Sequence, residues 1–405
     1  MCHLWLCKFV SNHVIRKVKV LIVFFINRCK ISTLLDLLNG TFVRTQILGV
    51  FANMSEGKLN TAILGLSEGG QLLLQASEAV DCIEIQAVAD KDTNLAEKIA
   101  GQYRCTAYDD YRQLIIQNQL DCLLVAAPIH SCDEYVRMAM KKKFNVLKLA
   151  PPARNFEEAA EFVKLAEEQE IQFAIGNPSR FASSFVKLRQ YLDESKIEHV
   201  FLMAAFCNLG NHLQPGWKTD PKLAGGGVLM QDCYRIIDQV VSNFNIPQQV
   251  YSLNTNQAQD KQQRSYLTED TAIVTMKFSD TLIGNFIATR RAGAGPGEEF
   301  IKLYAKDKIL IVNDRQLSIS DELGKAVKKS KYDDDELVCM TELLENFVQS
   351  ILSPGKNKLC SSGRENLKNM AVIESAYLSA RTGFPEEPGK ILQMAPFGVD
   401  EAIIE

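Results

Sequence analysis

The first chemistry legible in the chain lies in six residues, Gly65-Leu66-Ser67-Glu68-Gly69-Gly70, between an apolar run (Thr61-Ala-Ile-Leu) and a helix-like stretch (Gln71-Leu-Leu-Leu-Gln-Ala-Ser). A strand, a glycine turn and a helix in that order place backbone N–H groups and a helix N-terminus where a pyrophosphate can sit. The spacing follows Gly-x-Gly-x-x-Gly, with Gly65 and Gly70 in the first and third places and Ser67 in the second. A middle glycine lets the backbone approach the pyrophosphate closely; serine is small, and its hydroxyl can itself contact phosphate. The next strand, Ile83-Glu-Ile-Gln-Ala-Val-Ala, ends at Asp90 and Lys91, with Asp90 25 residues after Gly65. A carboxylate there can accept hydrogen bonds from a ribose 2′-hydroxyl and repel a 2′-phosphate, so NAD is expected ahead of NADP. The competing reading of Asp90 is a cap on the helix that begins at Thr93.

These residues need a scaffold, and the chain alternates accordingly. A helix over 93–102 and another near Tyr108–Gln117 precede the strand Asp121-Cys-Leu-Leu-Val-Ala-Ala. A helix over Ser131–Lys142 then leads to the strand Asn145-Val-Leu-Lys-Leu. Strands alternating with helices at this rhythm predict an α/β Rossmann domain, a doubly wound parallel sheet.

Composition sets the outer bounds. A chain of 405 residues with 46% apolar and 23% charged side chains is expected to form two ordinary globular domains. Its eleven cysteines include no Cys-x-x-Cys pair and no Cys/His cluster at metal-ligand spacing, which predicts a reduced, cytoplasmic protein without a metal. Residues 1–53 carry seven cations against Asp36 alone, a net of +6, so the remainder sits at −4 − 6 = −10. An acidic body argues against nucleic acid as a partner. The longest apolar run of the first segment, Val20 to Ile26, is too short for a bilayer span of ~20 residues. Asn27-Arg28-Cys29-Lys30 supplies no small-residue cleavage site. No membrane partner is expected, and Met54-Ser-Glu-Gly-Lys reads as the true start, with the preceding residues over-extended translation.

Beyond the first strand the chain resembles the glucose–fructose oxidoreductase / inositol dehydrogenase (Gfo/Idh/MocA) family, from Leu59 to about Leu392. Ala89-Asp-Lys-Asp, Tyr108-Asp-Asp-Tyr, Ala127-Pro128, Gly176-Asn-Pro-Ser-Arg180-Phe181 and Glu269-Asp-Thr-Ala carry the likeness. So do the C-terminal helix around Ala371–Thr382 and, above all, Trp217-Lys-Thr-Asp-Pro-Lys-Leu-Ala-Gly-Gly-Gly-Val-Leu-Met with a helix containing Asp238 after it. The resemblance implies a Rossmann domain over 58–176 and an α+β domain over 177–395, flanked by an extension at 1–57 and a tail at 396–405. The second domain would hold a large, mostly antiparallel sheet, one face closing the active site and the other mediating a homodimer or homotetramer. Residues 198–208, 247–258, 271–279, 281–290 and 300–313 alternate well enough to be its strands. Ala127 and Pro128 would lie under the nicotinamide ribose.

The resemblance also implies where catalysis belongs, and there the chain departs. Active members carry Glu-Lys-Pro where this chain has Leu149-Ala150-Pro151, and an Asp with a His four residues later where it has Gln231 and Arg235. Glutamine does not titrate and arginine stays protonated, so neither is an ordinary base near neutrality. Lys148 shares a strand face with Ala150 but sits about 6.6 Å earlier along it. It is a candidate for substrate contact and a weak one for catalysis, against the alternative of a strand-end lysine reaching out to water. Tyr234 is the other weak proton donor, lying about 100° round the helix from Arg235, so only one of the two is expected to face the cleft. Gln231 and Arg235 fit better as a recognition pair for hydroxyls and an anion. Arg180 and Trp217 are assigned to the domain junction or to ligand contact. His130, two residues before Cys132, reads as a solvated loop histidine or as a group turned toward the cofactor. The expectation is an NAD(P)-binding oxidoreductase-family protein acting on a sugar, cyclitol or sugar-acid-like ligand, sugar-like or anionic. The alternative is a non-catalytic member binding nucleotide, ligand or a protein partner.

Overall fold

A computed structural model describes residues 58–210, 216–256, 267–290 and 297–396. The readings made of residues 1–57 and of the tail beyond 396 fall outside the described residues. Lys58–Glu405 form one compact unit.

The first sheet contains only parallel strands: β1 (Leu59–Leu64), β2 (Ile83–Ala89), β3 (Thr106–Tyr108), β4 (Cys122–Val125), β5 (Asn145–Leu149) and β6 (Phe173–Gly176), in the order β3-β2-β1-β4-β5-β6. The order reverses between β1 and β4, which opens a crevice at the carboxyl ends of those strands. Helices α1 (Glu68–Glu78), α2 (Thr93–Tyr103), α3 (Tyr111–Gln117), α4 (Ile129–Lys141) and α5 (Phe156–Glu168) connect the strands. The strands read as near-continuous apolar runs because both faces are covered. The reading near Tyr108 is corrected: Thr106–Tyr108 pairs with Ala87–Ala89 as an edge strand, and the helix starts only at Tyr111, capped by Asp110.

The chain then passes through a 3-10 turn (Pro178–Phe181) and α6 (Ser183–Asp193) into a second sheet. Its strands are β7 (Leu202–Asn208), β8 (Gln249–Thr255), β9 (Thr271–Lys277), β10 (Ile283–Thr289), β11 (Glu298–Tyr304), β12 (Lys308–Asn313), β13 (Gln316–Asp321) and β14 (Ala326–Lys331). The order is β14-β13-β12-β11-β7-β10-β9-β8, antiparallel except for the β7–β10 pair. The alternating stretch 300–313 is two strands broken at Ala305–Asp307. β14 gave no apolar alternation to read, because it is an exposed edge carrying Lys328, Lys329 and Lys331, whereas β13 does alternate, with Leu317 and Ile319 buried, and was not read. Such charges discourage further pairing at an open edge.

Between β7 and β8 lie a 3-10 turn (Trp217–Thr219), the short helix α7 (Pro221–Ala224), a π-helical turn (Val228–Asp232) and α8 (Tyr234–Phe244). After the second sheet come α9 (Glu336–Leu352), α10 (Gly363–Thr382) and α11 (Pro388–Gln393). Helix α9 returns to the parallel sheet: Leu343, Leu344 and Phe347 share a buried cluster with Leu73, Leu74 and Leu124. The two sheets are therefore tied by chain that leaves one and closes over the other.

Candidate functional site

The glycine turn has a geometry that only its own residues permit. Gly65 has φ +86°, and a Cβ built there would lie 2.4 Å from the Ala127 backbone nitrogen. A Cβ on Gly70 would lie 1.9 Å from the Gly65 carbonyl oxygen. The turn is thus closed against itself and against the loop after β4. Ser67 occupies the N-cap of α1 in extended backbone, exposed, with no hydrogen bond from its hydroxyl to the helix. Glu68 beside it is exposed and Leu66 is buried. The first turn of α1 thereby keeps N–H donors for an outside partner.

Asp90 tightens this turn: its carboxylate accepts from the Leu66 N–H at 2.7 Å and from the Asp92 N–H at 3.0 Å. The helix-cap reading of Asp90 is overturned, since Asp92 caps α2 by accepting from Leu95 N–H. Lys91 is exposed, Ala127 is buried, and Pro128 is the N-cap of α4.

Lys148 neither reaches water nor faces a ligand. It is 2% exposed, and its Nζ donates to the Pro151 carbonyl at 3.0 Å. It belongs to a buried charge cluster with Asp133, whose carboxylate lies 3.4 Å from Arg154 Nε, while Arg154 also pairs with Glu158 at 2.5 Å. Burial pushes the Asp133 carboxyl up to about 6, against the opposing charges of Lys148 and Arg154. At the start of the same helix, His130 packs against Trp217 with the rings tilted by 41° and 5.0 Å between centroids. Its Nδ1 is buried without a partner, and burial followed by the charges of Lys91 and Arg154 holds the imidazole below its ordinary pKa. His130 is therefore a neutral ring joining the two halves, not a solvated loop histidine.

A cleft of about 520 Å³ brings together Leu149, Ala150, Gln231 and Arg235 with Asp232, Asp314, Arg315, Asp334 and Asp335. Gln231 and Arg235 meet there although they do not share one regular helix: Gln231 sits in the π-helical turn and Arg235 in the first turn of α8. Gln231 Nε2 donates to the Ala224 carbonyl at 2.5 Å. Arg235 is ion-paired to both Glu299 and Asp314. That corrects its reading as an open fork for an anion, because the chain's own carboxylates already neutralise it. Asp232, one residue from Gln231, pairs with Arg290 and lies 3.6 Å from Lys218 Nζ.

Tyr234 is corrected as well. Its side chain points inward, donating to Asn366 Oδ1 at 2.9 Å and accepting from Asn369 Nδ2 at 3.3 Å. Arg180 serves the same buried network, with Nε 2.7 Å and Nη2 2.6 Å from the two oxygens of Asp238. Burial alone would raise the Asp238 carboxyl, but Arg180 and the donors Asn369 and Asn177 outweigh it and hold it below the ordinary range. Arg180 therefore buttresses the junction and supplies no free donor fork to a ligand. Glu269, buried, accepts from the Gly227 N–H at 2.7 Å, the Leu229 N–H at 3.0 Å and the Tyr377 hydroxyl at 2.9 Å, fixing the Gly-Gly-Gly loop.

Reading by type and spacing missed Asp232, Glu299, Asp314 and Asp133. Glu299 and Asp314 reach the cleft from β11 and the β12–β13 turn, and no local spacing announces that. Asp232 was visible beside Gln231. No group of three or more His, Cys, Asp or Glu able to hold a metal occurs among the described residues.

Comparison with known proteins adds ancestry to this geometry. Residues 59–177 match the family model described as "Oxidoreductase family, NAD-binding Rossmann fold", and residues 185–309 match the GFO/IDH/MocA C-terminal domain. The chain is 25% identical over 170 residues to the 2,7-anhydro-N-acetylneuraminate hydratase of Escherichia coli, a match covering 42% of this chain and 45% of that protein. The chain thus spans about half the length of the curated relatives it matches. Among solved structures it is similar to a levoglucosan dehydrogenase in complex with NADH and levoglucosan, with a TM-score of 0.74 at 14% identity, covering 82% of this chain and 99% of that one. An oxidoreductase from Agrobacterium radiobacter in complex with NAD+, L-tartaric acid and magnesium gives a TM-score of 0.72 at 17% identity, covering 83% of this chain and all of that one.

Proposed function

The chain belongs to the Gfo/Idh/MocA oxidoreductase family, and from that premise we propose that it binds NAD at the Gly65–Gly70 turn and acts on a sugar-like, polyhydroxylated molecule in the Ala150–Gln231–Arg235 cleft. The observation that carries the reading is Asp90: it grips the Leu66 N–H at the mouth of the open α1 N-terminus while its outer lone pairs remain for ribose hydroxyls. Pro128 and Lys91 flank that mouth. The ligand class follows from charge. With Arg235 closed by Glu299 and Asp314, the cleft offers paired donors and acceptors suited to hydroxyl groups, and Arg315 lines the same cleft as a cation that a carboxylate-bearing sugar can also meet. The relatives' named small molecules include levoglucosan and tartaric acid, both polyhydroxylated.

Bound NAD would supply the hydride acceptor. Oxidising an alcohol also requires a group that takes the hydroxyl proton. Ala150, Gln231 and Arg235 offer none, so this role falls to Asp232, held in the cleft wall by Arg290 and Lys218. The same three residues favour a second reading, in which the protein binds nucleotide and ligand without turnover. Calorimetric titration with NADH and NADPH, followed by NADH absorbance across neutral sugars, cyclitols and sugar acids, separates the two. NADH binding with turnover of a sugar, cyclitol or sugar acid that Asp232→Asn slows about 100-fold supports the first reading. NADH binding with silence across the panel leaves the second.

Self-association is part of the proposal. One row of the second sheet runs Leu253–Ile273–Ile287–Phe206–Phe300 across five strands, and Leu253 is 60% and Ile273 45% exposed. An apolar row of that breadth fits a second copy of the chain. No helix among the described residues is long and apolar enough to cross a membrane. The cysteines of the described residues are free, which supports a reducing, cytoplasmic setting.

A further inference from the structure

A second cleft, of about 740 Å³, lies between α6, α8, the first turns of α10 and the loop around Lys358. It shares no lining residue with the cleft described above. Its walls are apolar where Phe185, Val186, Val241 and Phe244 meet. Its rim is basic: Arg189, Lys358 and Lys368 stand against Glu365, while Arg180 beside them is already closed on Asp238, on a body whose net charge outside residues 1–53 is −4 − 6 = −10. Glu365 is already engaged by Arg180 and by Lys358 at 3.1 Å each. Arg189 and Lys368 reach only neutral acceptors, the Ser242 carbonyl at 2.5 Å and Asn245 Oδ1 at 2.8 Å.

Two further observations point to a ligand. Gln239, 2% exposed, lines the cleft with its Nε2 unpartnered, a donor of the kind an anion accepts from. Buried amide atoms left without partners are costly, and a bound group that satisfies them recovers that cost. Burial, with the like charge of Lys358, also depresses the Lys368 amine below its ordinary pKa despite Glu365, as expected of a cation lacking an adequate counter-ion.

We propose that this cleft binds a small organic anion, an apolar or aromatic body carrying a phosphate or carboxylate. The body packs between α6 and α8, and the anion sits among Arg189, Lys358 and Lys368. The test is calorimetric titration of the full chain with phenyl phosphate and phenylacetate, with inorganic phosphate and benzyl alcohol as probes carrying only one of the two features. Phenyl phosphate or phenylacetate is expected to bind at one site per chain, about tenfold or more tighter than either single-feature probe. Lys368→Gln and Arg189→Gln are each expected to weaken binding about tenfold, the scale of one charge-assisted hydrogen bond. Val186→Trp, which fills the apolar wall without changing charge, should abolish binding. Circular dichroism melting verifies that each variant is folded; if the charge variants do not fold, Val186→Trp decides. Which of the two probes binds tells phosphate from carboxylate. Absence of saturable heat for both at millimolar concentration overturns the proposal. So does binding that survives in folded Val186→Trp, which would place the probe elsewhere, such as the glycine turn.

Discussion

Asp90, just after β2, and Asp133, on α4, show how two carboxylates of the first half diverge through their surroundings. Asp90 is half-buried and meets backbone donors, so it shapes the turn, and the proposed function adds a ribose to its partners. Removing it in Asp90→Ala is expected to weaken NADH binding about tenfold and to narrow the preference over NADPH, both readable by calorimetry. Unchanged affinities for the two would remove Asp90 from the site. Asp133 is buried among charges, and its carboxyl is raised from 3.8 to about 6. Because the folded value lies above the unfolded one, the native state holds a proton that the unfolded chain has lost across this window. Its stabilising contribution is therefore full below about pH 4 and fades as pH rises through about 6, by on the order of 2–3 kcal/mol. Denaturant titrations of wild type and Asp133→Asn should converge or cross over that range and run parallel above it. A difference independent of pH would contradict the raised carboxyl.

Between β1 and α1, the decisive feature is a backbone turn and not a side chain. Gly65→Ala places a Cβ in the left-handed region and against the Ala127 nitrogen, 2.4 Å away. Strain of about 1–3 kcal/mol for the backbone, with the clash added, should lower the stability measured by denaturant titration and remove NADH binding. Retention of both would mean the loop after β4 yields easily. The π-helical turn at Val228–Asp232 is the corresponding device in the second half: five residues in one turn let Gln231 and Arg235 face the same cleft while Tyr234 turns to Asn366. Glu269 holds that turn from outside through two backbone N–H groups. The strand at Thr106–Tyr108 escaped reading because three residues carry no periodicity. The start of α1 was legible because glycine, serine and an apolar helix each point the same way.

For the whole molecule, the proposed self-association covers the exposed apolar row of the second sheet with a second copy of the chain. Light scattering coupled to size exclusion should give a dimer or tetramer for the wild type, and Ile273→Asp with Leu253→Asp should shift it toward monomer, since each places an unpaired charge in an apolar interface. An unaltered mass in the double variant would move the interface elsewhere. Helix α9 acts at this same scale, joining the last third of the described chain to the first sheet through Leu343, Leu344 and Phe347.

Local order along the chain was enough to read the Rossmann half, because strand, turn and helix signals there are short-range and mutually consistent, from Gly65 through Asn145–Leu149. Type alone also set Ala150, Gln231 and Arg235 apart from the catalytic pattern that the resemblance implies. Tertiary structure decided what those replacements touch. Arg235 looked available for an anion until β11 and the β12–β13 turn brought Glu299 and Asp314 to it from 64 and 79 positions away. Lys148 looked solvent-bound until α4 placed Asp133 over it, and Arg180, read as a junction residue or a ligand contact, turned to the junction once Asp238 closed on it. Charge neutralisation and burial depend on through-space neighbours that no spacing along the chain encodes, so the chemistry of the cleft appears only once the two sheets are folded together.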